Sequence, residues 1–257
     1  MLQNPLRVHG IITLFWYTLV SAVIFNTAPV HGAILSIRMN GAPPPSTHYS
    51  IVNQGSTSPG LIILRPPSSP SFRYDVYCVD GASAGDISSI TTSLQEGFRG
   101  IIQIKLLNTS GGAGARNVGI INLDPMSGSY YSNVVDSKIS GSLGNVTVYR
   151  NSSYAGGIVN FIGGIGGDVT GNISCYTLQS FTVTGNLTTN AQINVSGSIS
   201  STVSFQGSIL GKITVSSSTA ISGSILATGN ITGAVTIPTF TGNICAANLN
   251  VDNIFCM

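Results

Sequence analysis

A chain of 257 residues is long enough to bury one sizeable core or two smaller ones. Only 7% of its residues are charged, against roughly 25% in ordinary globular domains. The formal net charge of +2 offers no basic field to attract nucleic acid, so the surface must be solvated by hydroxyls and amides rather than by ions.

In chain order, residues 1–32 read as a secretory signal peptide. Arg7 and His9 form a weakly positive start, Ile11 to Phe25 is an apolar run, and Val30 and Gly32 are small enough for the −3 and −1 positions of a cleavage site before Ala33. The rival reading is an uncleaved anchor, for which this run is short of the roughly 20 residues that a span needs. No second apolar run of that length follows. The expectation is therefore an exported chain, secreted or at the cell surface, with no membrane segment beyond the signal.

Residues 33–137 are irregular and β-rich. Pro43-Pro44-Pro45 and Pro66-Pro67 punctuate strand-like runs at Ile34–Met39, Leu61–Leu64, Phe72–Val79 and Gly100–Leu107. Two readings stay open: a small β-sandwich, or the first coils and cap of a solenoid. Thr109–Arg116 reads as a Gly-rich loop. It lacks the Lys-Ser/Thr ending of a phosphate loop.

From residue 138 to 257 a short phrase keeps returning: Gly, a small polar residue, then Ile, Val or Leu. It appears as Gly167-Asp168-Val169, Gly185-Asn186-Leu187, Gly207-Ser208-Ile209 and Gly229-Asn230-Ile231, and Gly185, Gly207 and Gly229 are spaced by 22 residues. Apolar residues alternate with small polar ones, which is the strand period, and no 3.6-residue period appears. A short strand cannot bury its face alone, whereas stacked coils bury Ile on Ile and Val on Val. The expectation is about five coils of parallel strands between residues 138 and 245. Ile209, Ile213, Val215, Ile231, Val235 and Ile237 should be buried, with Phe161, Phe181 and Phe205 filling the interior. Glycine is expected at the corners for positive φ. Asn172, Asn186 and Asn230 are either a stacked ladder or separate turn residues.

These phrases resemble the right-handed parallel β-helix proteins of bacterial surfaces, a class that includes adhesin passenger domains and pectin-lyase-like enzymes. The resemblance implies an all-β, right-handed parallel β-helix, or solenoid, with an irregular β-rich N-terminal part. It also raises a test of enzyme chemistry. Lyases of that class hold Ca²⁺ in Asp clusters beside an Arg or Lys base, and its hydrolases gather several carboxylates in one cleft. Here Lys212 and Asp252 are the only charged residues between Val169 and Ile254, and Glu96 is the only Glu. Once the signal is removed, His48 is the only histidine. Asp75, Asp80 and Asp86 are the one acidic concentration, read as a strand edge or as a loop site for Ca²⁺. No catalytic residue, cofactor or metal is assigned.

Four cysteines, Cys78, Cys175, Cys245 and Cys256, permit two disulfides in an exported chain, with Cys245 and Cys256 the first candidates for pairing. The other reading is buried free thiols. Asn108, Asn145, Asn151, Asn172, Asn186, Asn194 and Asn230 stand in Asn-x-Ser/Thr sequons, which the repeat phrase generates by itself. Tyr130, Tyr131, Tyr149 and Tyr154 are the candidate binding residues for a surface glycan or protein. Their rings would stack without charge and hold a ligand with little sensitivity to salt. Packing over the first coils is the alternative. The functional expectation is a non-enzymatic structural or adhesive protein, with a glycan-binding module or a degenerate polysaccharide lyase or hydrolase as rivals.

Overall fold

The computed structural model describes residues 35–52, 60–67, 71–78, 86–93, 99–108, 117–123, 129–135, 137–148, 150, 157–217, 222–249 and 254–256. The segment 1–32, read as a signal peptide, lies outside them, as do the loop 109–116, Asp80, Glu96 and Asp252. Among the described residues no helix is long and apolar enough to cross a membrane.

The protein is all-β. Among the described residues nineteen strands join in one curled, mostly parallel sheet, and Asn230–Ile231 pairs with Asn248–Leu249 in a small second one. The arrangement is solenoid-like. Strands that follow one another around the chain fall into separate stacks, here called sides, and each strand pairs with its counterpart one rung further along. Side A runs from Gly60–Leu64 through Ile87–Thr92, Val118–Leu123 and Leu143–Val148, then through Ile173, Ile193, Ile213 and Val235 to Ile254. Side B begins at Ser71–Cys78, passes Arg99–Asn108 and Ser129–Val134, and ends at Ile244–Cys245. Side C is short: Val169, Leu187, Ile209 and Ile231 bridge in parallel, and Leu249 follows.

Parallel pairing through residues 138–245 follows the expected phase. Ile213 pairs with Val235 and Thr214 with Thr236, and Ile209 bridges to Ile231. The six expected core residues are all buried, while Thr214 between them is half-buried. Phe161, Phe181 and Phe205 are buried one above another, with ring centres 5.7 and 6.2 Å apart in edge-on contact. The same parallel register already exists before residue 138, since Gly60 pairs with Ile87 and Val118 with Leu143. Among the described residues antiparallel strand pairing is confined to the N-terminal end, where Leu35–Met39 lies on Ser71–Cys78 and Tyr49–Val52 on Gly60–Leu64.

The corner that follows side B is held by a ladder. Asp86 Oδ1 accepts from the Asn117 amide, Asn117 Oδ1 from Ser142, Ser142 Oγ from Asp168 and Asp168 Oδ1 from Asn186. Asn186 Oδ1 then accepts from the Ser208 amide and Ser208 Oγ from Asn230. Last, Asn248 Nδ2 donates to Asn230 Oδ1. Of the two readings of the Asn residues, Asn186 and Asn230 are therefore rungs of a ladder. Asn172 lies on another corner, its amide donating to Asn145 Oδ1.

The reason for glycine beside the ladder differs from the expectation. Gly185, Gly207 and Gly229 are not among the residues at positive φ; the described glycines that are include Gly41, Gly157 and Gly164. Space decides instead. A Cβ at Gly185, Gly207 or Gly229 would run into the ladder side chain one rung back: Asp168, Asn186 or Ser208 respectively. It would also come within 2.7–2.9 Å of the preceding glycine's carbonyl oxygen. The glycine amides donate to those carbonyls at 2.9–3.1 Å. Glycine permits this close approach of backbone to backbone.

Candidate functional site

The repeat breaks where side A turns into side B, at Tyr176. Register between Ile173–Val183 and Gln192–Ile199 shifts between Cys175 and Thr177, a bulge of the kind that re-aims a side chain. The amides of Tyr176 and Thr177 both donate to Gly157 O, at 2.8 and 3.2 Å. Gly157 has φ 72°, and a Cβ on it would lie 3.1 Å from the Cβ atoms of both Arg150 and Tyr176. Gly197 lies against the tyrosine from the next rung, where a Cβ would be 2.6 Å from Tyr176 Cζ. Arg150 Cζ sits over the ring, 3.2 Å from its centre, a cation–π arrangement that fixes a long side chain.

This pair walls an open groove of about 310 Å³. Cys175 and Val195 form its floor, and Ser174, Asn194, Ser196 and Ser216 bring hydroxyls and an amide to its rim. Among the described residues Arg150 is the only ionic side chain in the lining. Burial pushes the Cys175 thiol from its ordinary 9.0 up to about 12. It stays protonated at neutral pH and is no nucleophile.

The expected binding residues fare differently. Tyr130 and Tyr131 lie in Ser129–Val134, in register with Gly100 and Ile101, and their side chains lie outside the described residues, as do Tyr149 and Tyr154. The structure instead brings together Arg150 and Tyr176, which a reading by tyrosine spacing misses. One compositional signal pointed there: Arg150 is the last arginine of the chain and Tyr176 its last tyrosine.

The acidic residues among the described ones, Asp75, Asp86 and Asp168, each have a structural partner. Asp75 is buried at 3% exposure, between Arg38 and Lys105 in register. Arg73 Nη2 donates to Asp75 Oδ2 at 3.1 Å. Arg73 Nε lies 3.0 Å from Oδ1, close enough for an ion pair but outside hydrogen-bond geometry. Asp86 takes two donors from Asn117, and Asp168 two from Asn186. Among the described residues no three His, Cys, Asp or Glu side chains gather as a metal site. His48 is half-buried in a short 3-10 turn, Ser46–His48, and its carbonyl accepts from the Arg65 amide. Cys245 is an exposed free thiol, and the side chains of Cys78 and Cys256 lie outside the described residues.

No protein-family model matches the chain, and neither the curated proteins nor the solved structures provide a match. The comparisons give the resemblance to bacterial-surface β-helix proteins no support, and the structure supports only its strand-rich, solenoid-like architecture.

Proposed function

We propose that this protein is an exported, non-enzymatic scaffold, a right-handed parallel β-helix with a structural or adhesive role at a cell surface or in extracellular matrix. The observation that carries the reading is the ladder from Asp86 to Asn248. It ties successive rungs at one corner beside a core of stacked Ile, Val, Leu and Phe. Such a stack is stiff, needs no cofactor to hold it and presents a surface of hydroxyls and amides. Right-handed winding follows from the rule that crossovers between parallel strands of one sheet are right-handed in about 98% of cases. The non-enzymatic reading is supported by the carboxylates among the described residues: Asp75, Asp86 and Asp168 are each engaged by a structural partner. The rival glycan-binding reading is favoured by the Arg150–Tyr176 groove.

Fractionation of expressing cells tests the proposal. The protein should be found outside, with residues 1–32 removed on N-terminal sequencing, adhering to a surface and turning over no polysaccharide. Retention inside the cell with an intact N-terminus contradicts the reading. So does polysaccharide turnover that is lost in Asp75→Asn or Asp168→Asn.

A further inference from the structure

We propose that the groove on side A takes a neutral, linear glycan lying across the rungs. The inference rests on the adhesive reading above and names the ligand class for it. Arg150 is a wall of this groove and not its recognition group, because it is engaged over the Tyr176 ring and by a further partner. The first support is what the rest of the lining offers. The side chains of Thr147, Ser174, Asn194 and Ser216 line the groove and make no hydrogen bond among the described residues. Three hydroxyls and a carboxamide are thus left to donate and accept, and none of them carries charge. Such a lining complements an uncharged, hydroxyl-rich ligand, since an ion brought against it would lose water and gain no counter-charge. The second support is spacing. Thr147 pairs with Ser174 and Ser174 with Asn194 on three successive rungs, so the three form a rank with about 4.8 Å between members. An extended chain of sugar rings advances by a comparable length per ring, so successive rings meet successive members of the rank. The groove volume of about 310 Å³ takes a short stretch of such a chain.

Two alternatives fit less well. An extended peptide needs a free strand edge. The side-A strands at the groove are already paired on both sides, Ile173 with Val146 and Ile193, and Ile193 in turn with Ile213. An anionic ligand needs an unengaged cation, and Arg150, the only ionic side chain in the lining among the described residues, is not one.

The test is titration of the full chain with cello-, xylo- and chito-oligosaccharides of increasing length, at low and high NaCl. Oligogalacturonates serve as the carboxylated match and an uncharged Ser/Thr-rich peptide as the extended-chain control. Adhesion of the same preparation to cell surfaces is measured alongside. A neutral series should bind, more tightly as it lengthens, and its affinity should not move with salt. Asn194→Ala should weaken that binding about three- to tenfold, the scale of one neutral hydrogen bond, and Ser174→Ala should act in the same direction. Thr202→Ala, exposed on side B, should bind as the parent does, and unchanged thermal melts show which variants fold. The inference is overturned if no neutral series binds, or if oligogalacturonate or the peptide binds more tightly than all of them. It is also overturned by affinity that falls with salt, or by folded Asn194→Ala and Ser174→Ala variants that both bind unchanged. Adhesion that persists with no neutral glycan bound removes the inference alone, whereas a parent chain that neither adheres nor binds glycan removes the adhesive reading as well.

Discussion

The rungs before Asp168 and those after it solve one problem in two ways. The ladder advances by 31, 25 and 26 residues from Asp86 to Asp168, then by 18, 22, 22 and 18 to Asn248. In the wide part, corners are held by buried polar side chains. Ser132 Oγ donates to Leu123 O, Asn133 Oδ1 accepts from the Ile158 amide, and Ser137 Oγ accepts from Leu106. Among the described residues, the fully buried polar side chains, Asp75, Ser132, Asn133 and Ser137, all belong to this part. The narrow part has none. Glycine lets its corners close backbone on backbone, as Gly141 does beside Ser142, its carbonyl accepting from the Gly167 amide at 2.8 Å. In the narrow part Gly185, Gly207 and Gly229 each precede a short acceptor, and Ala247 takes that place before Asn248, its amide donating to Gly229 O at 3.0 Å.

The largest effect should come from the narrow core. Phe181→Ala removes the middle ring of the stack and should cost about 3–5 kcal/mol in denaturant unfolding. In the wide part, Tyr74 is fully buried, and its hydroxyl has no hydrogen-bond partner among the described residues. Tyr74→Phe should leave stability unchanged or raise it; a large loss would mean that the hydroxyl is satisfied. Next, Gly207→Ala should cost about 1–3 kcal/mol by driving a methyl into Asn186. An innocuous alanine would show that the corner is looser than its geometry.

Similar in size, and aimed at the other corner type, Ser132→Ala should cost about 1–3 kcal/mol by leaving the Leu123 carbonyl buried without its donor. The smallest effect is on pH dependence. The Cys175 thiol ionises near 9.0 when exposed and only at about 12 when folded. The folded state thus holds its proton more tightly. Stability from this group is complete below pH 9 and declines as pH rises from 9 toward 12. Cys175→Ser should flatten that decline in pH-resolved melts, and an identical profile would contradict it.

The narrow rungs were legible because their phrase returns at short, regular steps of 18 or 22 residues. Gly207-Ser208-Ile209 and Gly229-Asn230-Ile231 hold glycine, acceptor and core residue in consecutive positions. Before Asp168, Gly85-Asp86-Ile87 and Gly141-Ser142-Leu143 carry the same phrase, but Arg116 stands where glycine would beside Asn117-Val118, and the steps between these rungs are 31 and 25 residues. Period alone could not find them. Glycine's role was misread because a crowded position and a positive-φ position look alike in sequence. The groove was less legible still. Arg150 and Tyr176 meet through a bulge and two glycines, and no repeat encodes that meeting.

The central claim is that one ladder runs through both parts and makes them a single stack. Amide hydrogen exchange at Asn117, Ser142, Asp168, Asn186, Ser208 and Asn230 tests it most directly, because each of these amides donates to a side chain one rung away. The six should be protected to a similar degree and lose protection together as denaturant is added. Rapid exchange at Asn117 and Ser142 beside slow exchange from Asn186 to Asn230 would contradict the claim and divide the protein into two independent units.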